Sequence, residues 1–99
     1  MPQSPARAAP LGPATEQDLT DLARRQLSIG NDRDALATLQ RLAKEVPHGL
    51  KHEDRETLLI EALAGMDRTA EAQQRARAFR ARYPNSFLLP RVNAALKKP

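Results

Sequence analysis

An all-α fold is what this sequence predicts, and three observations predict it. Alanine and leucine carry the apolar content, while aromatic residues make up only 3% of the chain. Strands draw on β-branched and aromatic residues, which are scarce here, so close-packed helices are favoured. Apolar residues recur at three- and four-residue spacing in several segments, as in Ala35, Leu39, Leu42 and Val46, which share one helix face. Glycine and proline punctuate those segments at helix-ending positions, with Gly30 before that face and Pro47 after it.

The 99 residues allow a single domain. Residues 1–14 hold Pro2, Pro5, Pro10 and Pro13 among Ala, Gly and Ser. Proline removes a backbone donor and keeps the preceding residue out of the helical region, so an extended, disordered tether is expected there. Such a tether is what joins a domain to something larger. The helical domain is then 15–97.

Helix one is expected to start at Thr15, with Asp18 completing a capping pair. Leu19, Leu22, Ala23 and Leu27 form its apolar face, and Gly30 stops it. Asn31 or Asp32 caps helix two, which runs to about Glu45. Leu36 and Ala43 widen its apolar face, and Arg33, Thr38, Arg41, Lys44 and Glu45 fall on the other side. The short turn makes helices one and two antiparallel. Helix three runs from His52 or Glu53 to Met66. Leu58, Leu59, Ile60, Ala62, Leu63 and Ala64 cover more than half its circumference, leaving the rest to Asp54, Arg55, Glu56 and Glu61. A helix so broadly apolar is expected at the centre of the domain. Thr69 is the expected cap of helix four, which begins at Glu71 or Ala72, faces Ala72, Ala76, Phe79 and Tyr83 inward, and ends before Pro84. Helix five spans about Phe87 to Leu96, with Pro90 in its first turn, and buries Leu88, Leu89, Val92 and Leu96.

The spacing repeats. Leu42, Leu39 and Ala35 lie 5, 8 and 12 residues before Pro47, and Phe79, Ala76 and Ala72 lie at the same distances before Pro84. A period of 37 residues implies stacked helical hairpins, because one hairpin cannot cover its own apolar face. With Gly30, Ala35, Leu39, Leu42 and Pro47 in helix two and Leu19, Leu22 and Ala23 in helix one, the chain resembles the tetratricopeptide-repeat family. The second copy follows at Ala72, Phe79 and Pro84, but has Asp67 in place of the turn glycine and Glu56 in place of a large apolar residue. Its period is also about three residues longer than the family's, a difference the His48–Lys51 loop absorbs. The resemblance implies two stacked antiparallel hairpins plus a closing helix, wound as a right-handed superhelix. The stretch around Tyr83-Pro84-Asn85-Ser86 is similar to junctions in tetratricopeptide domains of bacterial cell-envelope proteins. That implies a bacterial, periplasm-facing assembly module, with a cytoplasmic location as the alternative.

In related repeats the first helices of successive hairpins line a binding surface. The matching positions are Gln17, Thr20, Arg24, Asp54, Thr57 and Glu61, with Arg91 at the end, and the implied ligand is a protein or peptide partner. Chemistry of other kinds finds little support. With no cysteine there is no disulfide or thiolate site. His48, His52 and Glu56 have four-residue spacing, but His48 is expected in a loop and the pattern departs from His-Glu-x-x-His, so no metal is expected. The sequence carries no Gly-rich phosphate loop and no nucleophile–base set, so neither a cofactor nor an enzyme is expected. No apolar run is long enough to span a membrane.

Charge is uneven. Residues 68–99 carry eight basic residues against Glu71, a local +7 within a net +4, so residues 1–67 carry −3. Arg68, Arg75 and Arg82 are seven apart and form a basic ridge along helix four, with Arg77 and Arg80 on its far side. Such asymmetry points to an acidic partner, a like-built neighbour or an anionic polymer. The nucleic-acid alternative rests on charge alone, since no helix-turn-helix pattern or stacking aromatic accompanies the ridge. Self-association through helix five or the open side of helix one is the remaining alternative.

Overall fold

The computed structural model describes residues 13–97, so the tether expected at 1–14 lies almost wholly outside the described residues. Five helices follow in order: α1 (Pro13–Ser28), α2 (Asp32–Glu45), α3 (His52–Gly65), α4 (Thr69–Arg82) and α5 (Leu89–Leu96). No strand occurs among the described residues. None of these helices is long and apolar enough to cross a membrane.

Helix ends depart from expectation by one or two residues. α1 begins at Pro13, where a proline at a helix start loses only a donor that had no partner, so Thr15 lies within the first turn rather than capping it. α4 begins at Thr69 with Arg68 as its cap residue, and no side chain caps it. α5 begins at Leu89, after a turn that leaves Phe87 outside the helix.

α3 packs against all four other helices. Its Leu58, Ile60, Ala62 and Leu63 are buried, as its broadly apolar surface requires. α1 packs on α2 and α3, and α5 on α3 and α4, whereas no Cα of α2 comes within 8 Å of one in α4. The core joins Ala23, Ala35, Leu36, Leu39, Leu58, Ile60, Leu63, Ala72, Ala76, Phe79 and Val92. Each fully buried leucine contributes about 1.5–3 kcal/mol relative to exposure.

Thr38 and Arg55, read as polar surface, are interior. Thr38 is buried because its hydroxyl donates to Gln26 Oε1 of α1 at 2.7 Å. Arg55 is buried because its guanidinium donates to the Val46 carbonyl at 3.2 Å and meets His52 Nδ1 at 2.7 Å. Both face a neighbouring helix or turn that sequence periodicity cannot place. Conversely, Ala43 is exposed and Val46 only half-buried, while in α5 Ala95 is buried and Leu88, Leu89 and Leu96 are half-buried.

The 37-residue period is a property of the backbone. α2 and α4 are both 14 residues long and start 37 apart, as do α3 and α5. Asn31 before α2 has φ −91°, ψ 62°, and Arg68 before α4 has φ −90°, ψ 61°. Gly30 and Asp67 are both left-handed, with φ 79° and 63°. At each, two hydrogen bonds close the preceding helix: Gly30 N–H to Leu27 O and Asn31 N–H to Gln26 O, then Asp67 N–H to Ala64 O and Arg68 N–H to Leu63 O. This is the Schellman arrangement, which satisfies carbonyls that a helix end leaves free. The aspartate keeps the glycine's conformation because aspartate tolerates the left-handed region better than most side chains.

Candidate partner-binding face

The positions at one-repeat spacing on the first helices come together across α1, α3 and α5. Arg24 of α1 donates to Asp21 Oδ1 at 3.3 Å and lies 4.0 Å from Asp54 Oδ2 of α3. Arg91 of α5 grips Glu61 of α3 with two bonds, at 2.6 and 3.0 Å. Gln17 is exposed and donates to Asp21 Oδ1 at 2.9 Å. The result is a row of alternating charge crossing three helices. The Glu61 hydrogen bond raises the Arg91 pKa above the ordinary arginine range against the opposing effect of burial, with further help from the charges of Glu61 and Asp54. A raised pKa on a cation means that its contribution is present below the unfolded value and lost as pH rises through the folded value, so Arg91 itself gives up its charge only in strong alkali.

Thr20 and Thr57 do not belong to that surface. They are 0% and 1% exposed, and each hydroxyl donates to the carbonyl one turn back, Thr20 to Glu16 at 2.7 Å and Thr57 to Glu53 at 2.8 Å. Their side chains fill the joint where neighbouring helices pack and cannot reach a ligand. Of the remaining five, Arg24, Glu61 and Arg91 line a cleft of about 430 Å³ together with Leu27, Ser28, Asp32, Ala94 and Ala95, while Gln17 and Asp54 lie outside its lining. The lining mixes the apolar Leu27, Ala94 and Ala95 with the charged Arg24, Asp32, Glu61 and Arg91.

Sequence reasoning missed Glu16. This carboxylate is 2% exposed and accepts from the backbone N–H groups of Leu50 at 3.1 Å and Lys51 at 2.9 Å, just ahead of α3. It therefore pins α1 to the start of α3, where the positive helix end favours an anion. A Cβ on Gly49 would collide with that carboxylate, so glycine is what lets the carboxylate approach this closely. One period later Glu53 Oε1 accepts from the Ser86 hydroxyl at 2.7 Å, and the Ser86 oxygen accepts from the Leu88 N–H at 3.0 Å. The signal was available: Glu16 and Glu53, like Thr20 and Thr57, stand 37 residues apart.

The basic ridge is largely met by acids of the chain itself. Arg68 holds Glu71 at 2.7 and 3.1 Å, and Arg75 meets both oxygens of Glu56 at 3.2 Å. The Arg82 guanidinium lies 5.7 Å from the centre of the Tyr83 ring. Of the histidines, His48 lies in the turn after α2 and His52 opens α3 against Arg55. Among the described residues no group of three His, Cys, Asp or Glu side chains converges as a metal site would need. No protein-family model matches the chain, and neither a curated protein nor a solved structure matches it.

Proposed function

We propose that this chain is a non-catalytic protein-interaction module of the tetratricopeptide type, which holds a partner polypeptide against α1, α3 and α5. The observation that carries the reading is the charged cleft built at one-repeat spacing, with Arg24, Glu61 and Arg91 on its rim. Gln17, Asp54 and Arg91 occupy equivalent positions of successive first helices, as a repeat that reads a polypeptide along its length requires. The rim's ion pairs are solvent-exposed, and exposed pairs contribute about 0–1 kcal/mol each, so a partner's charges can replace them at small cost. The Tyr83-Pro84-Asn85-Ser86 junction is the ground for placing such an assembly in a bacterial cell envelope.

The test is affinity capture with the full chain beside an Arg24→Glu, Arg91→Glu double variant. A defined protein retained by the first and lost by the second, at unchanged thermal stability, supports the reading. An identical set of proteins on both variants rejects it.

A further inference from the structure

On the side of α3 away from that cleft, two cavities of about 270 and 280 Å³ share Arg55, Glu56 and Arg75 and so form one groove. α4 walls both cavities, and α2 walls the first. Their backbones stand more than 8 Å apart between Cα atoms, and α3 forms the floor between them. Leu59 is half-buried there, with Leu36 beside it, and the exposed methyls of Ala43 and Ala78 line the walls. Leu59 and Glu61 are two residues apart, about 200° around the helix, so this groove and the charged cleft lie on opposite sides of α3.

We propose that this groove is a second docking surface, and that its occupant is an acidic amphipathic helix of a protein partner. Charge complementarity argues for the acidic side. Arg55, Arg68, Arg75 and Arg82 line the groove against Glu56 and Glu71, an excess of two positive charges. Its α4 wall belongs to residues 68–99, which carry +7. Arg68, Arg75 and Arg82 recur every seven residues, about 10 Å apart along α4. A partner helix laid alongside presents carboxylates at the same interval when Asp or Glu recurs every seven residues on one flank. Its adjacent apolar stripe then rests on Leu59, Ala43 and Ala78, as in helix-in-groove recognition.

The ion pairs Arg68–Glu71 and Arg75–Glu56 are exposed, so they hold the guanidinium groups in place while remaining exchangeable for a partner's carboxylates. The apolar Leu59, Ala43 and Ala78 and the carboxylates of Glu56 and Glu71 favour a helix over a nucleic acid, whose phosphates find no partner on methyl groups.

The full 99-residue chain is panned against a displayed library of random 16-residue peptides, and recovered peptides are measured by fluorescence anisotropy. Peptides with apolar residues at i, i+3 or i+4 and i+7 and acidic residues beside them are expected. Their affinity should fall at least tenfold for Arg75→Glu with Arg82→Glu, and comparably for Ala43→Glu, an exposed position that leaves the core intact. Arg24→Glu should leave it unchanged, which separates failure here from failure of the cleft reading. A single-stranded oligonucleotide is the competing probe. Recovery of no such peptide, indifference to Ala43→Glu, or tighter binding of the oligonucleotide overturns the proposal.

Discussion

The turn entering α3 and the turn entering α5 begin alike, with Val46 at φ −132°, ψ 65° and Tyr83 at φ −126°, ψ 63°, but they end differently, with Lys51 at ψ 43° and Leu88 at ψ −6°, and different side chains hold them. Before α3, the Glu16 carboxylate reaches directly to two backbone N–H groups, and Gly49 leaves it room. Before α5, Ser86 occupies the Gly49 position and its hydroxyl stands between Glu53 and the Leu88 N–H. One turn is held by a buried anion in direct contact, the other by a neutral relay. The same contrast separates Gly30 from Asp67, which share a left-handed turn at different conformational cost. The lesson is that helix stacking sets the path of the chain, and more than one side-chain solution satisfies the polar groups left over. α5 itself has Pro90 and Ala94 at the Glu16 and Thr20 register, so the tie is not repeated there.

The largest way to break the comparison is at Glu16. Glu16→Ala strands two partly buried donors and should cost about 2–3 kcal/mol, read as a lowered urea midpoint. Glu53→Ala, which loses one bond to a hydroxyl, should cost about 1 kcal/mol. Equal losses would mean that the two turns are held alike.

Next comes Gly49→Ala, which displaces the Glu16 carboxylate and should cost about 1–3 kcal/mol. Hydrogen exchange at the Leu50 and Lys51 amides should accelerate, and unchanged protection there would reject direct capping. Gly30→Ala forces a Cβ into the left-handed region and should cost about 1 kcal/mol in thermal unfolding. Ser86→Ala should cost about 0.5–1 kcal/mol, with faster exchange confined to Leu88. The smallest effect carries the opposite sign. Asp67→Gly relieves the left-handed aspartate and should stabilise the second turn by about 0.5 kcal/mol, reduced by the entropy glycine adds to the unfolded chain. A destabilised Asp67→Gly protein would show that the carboxylate itself supports the turn.

Much of the fold was legible because helices announce themselves locally. Ala35, Leu39 and Leu42, and Ala72, Ala76 and Phe79, are all buried where their spacing put them. The candidate face was legible in part. Arg24, Asp54, Glu61 and Arg91 gather as their register implies, but Thr20 and Thr57 vanish into the helix packing. Small hydroxyl side chains read as polar surface in a one-dimensional pattern, yet they can satisfy themselves on their own helix and be buried.

By itself the sequence determined the five helices, the central place of α3 and the 37-residue period, because each rests on spacing along the chain. Only the tertiary structure decided that Arg55 and Thr38 are interior, that Glu16 spans 34 residues to hold the approach to α3, and that α2 and α4 stand apart over a groove. These depend on which distant side chain supplies the missing hydrogen-bond partner or the covering methyl group, and spacing within one helix carries no record of that.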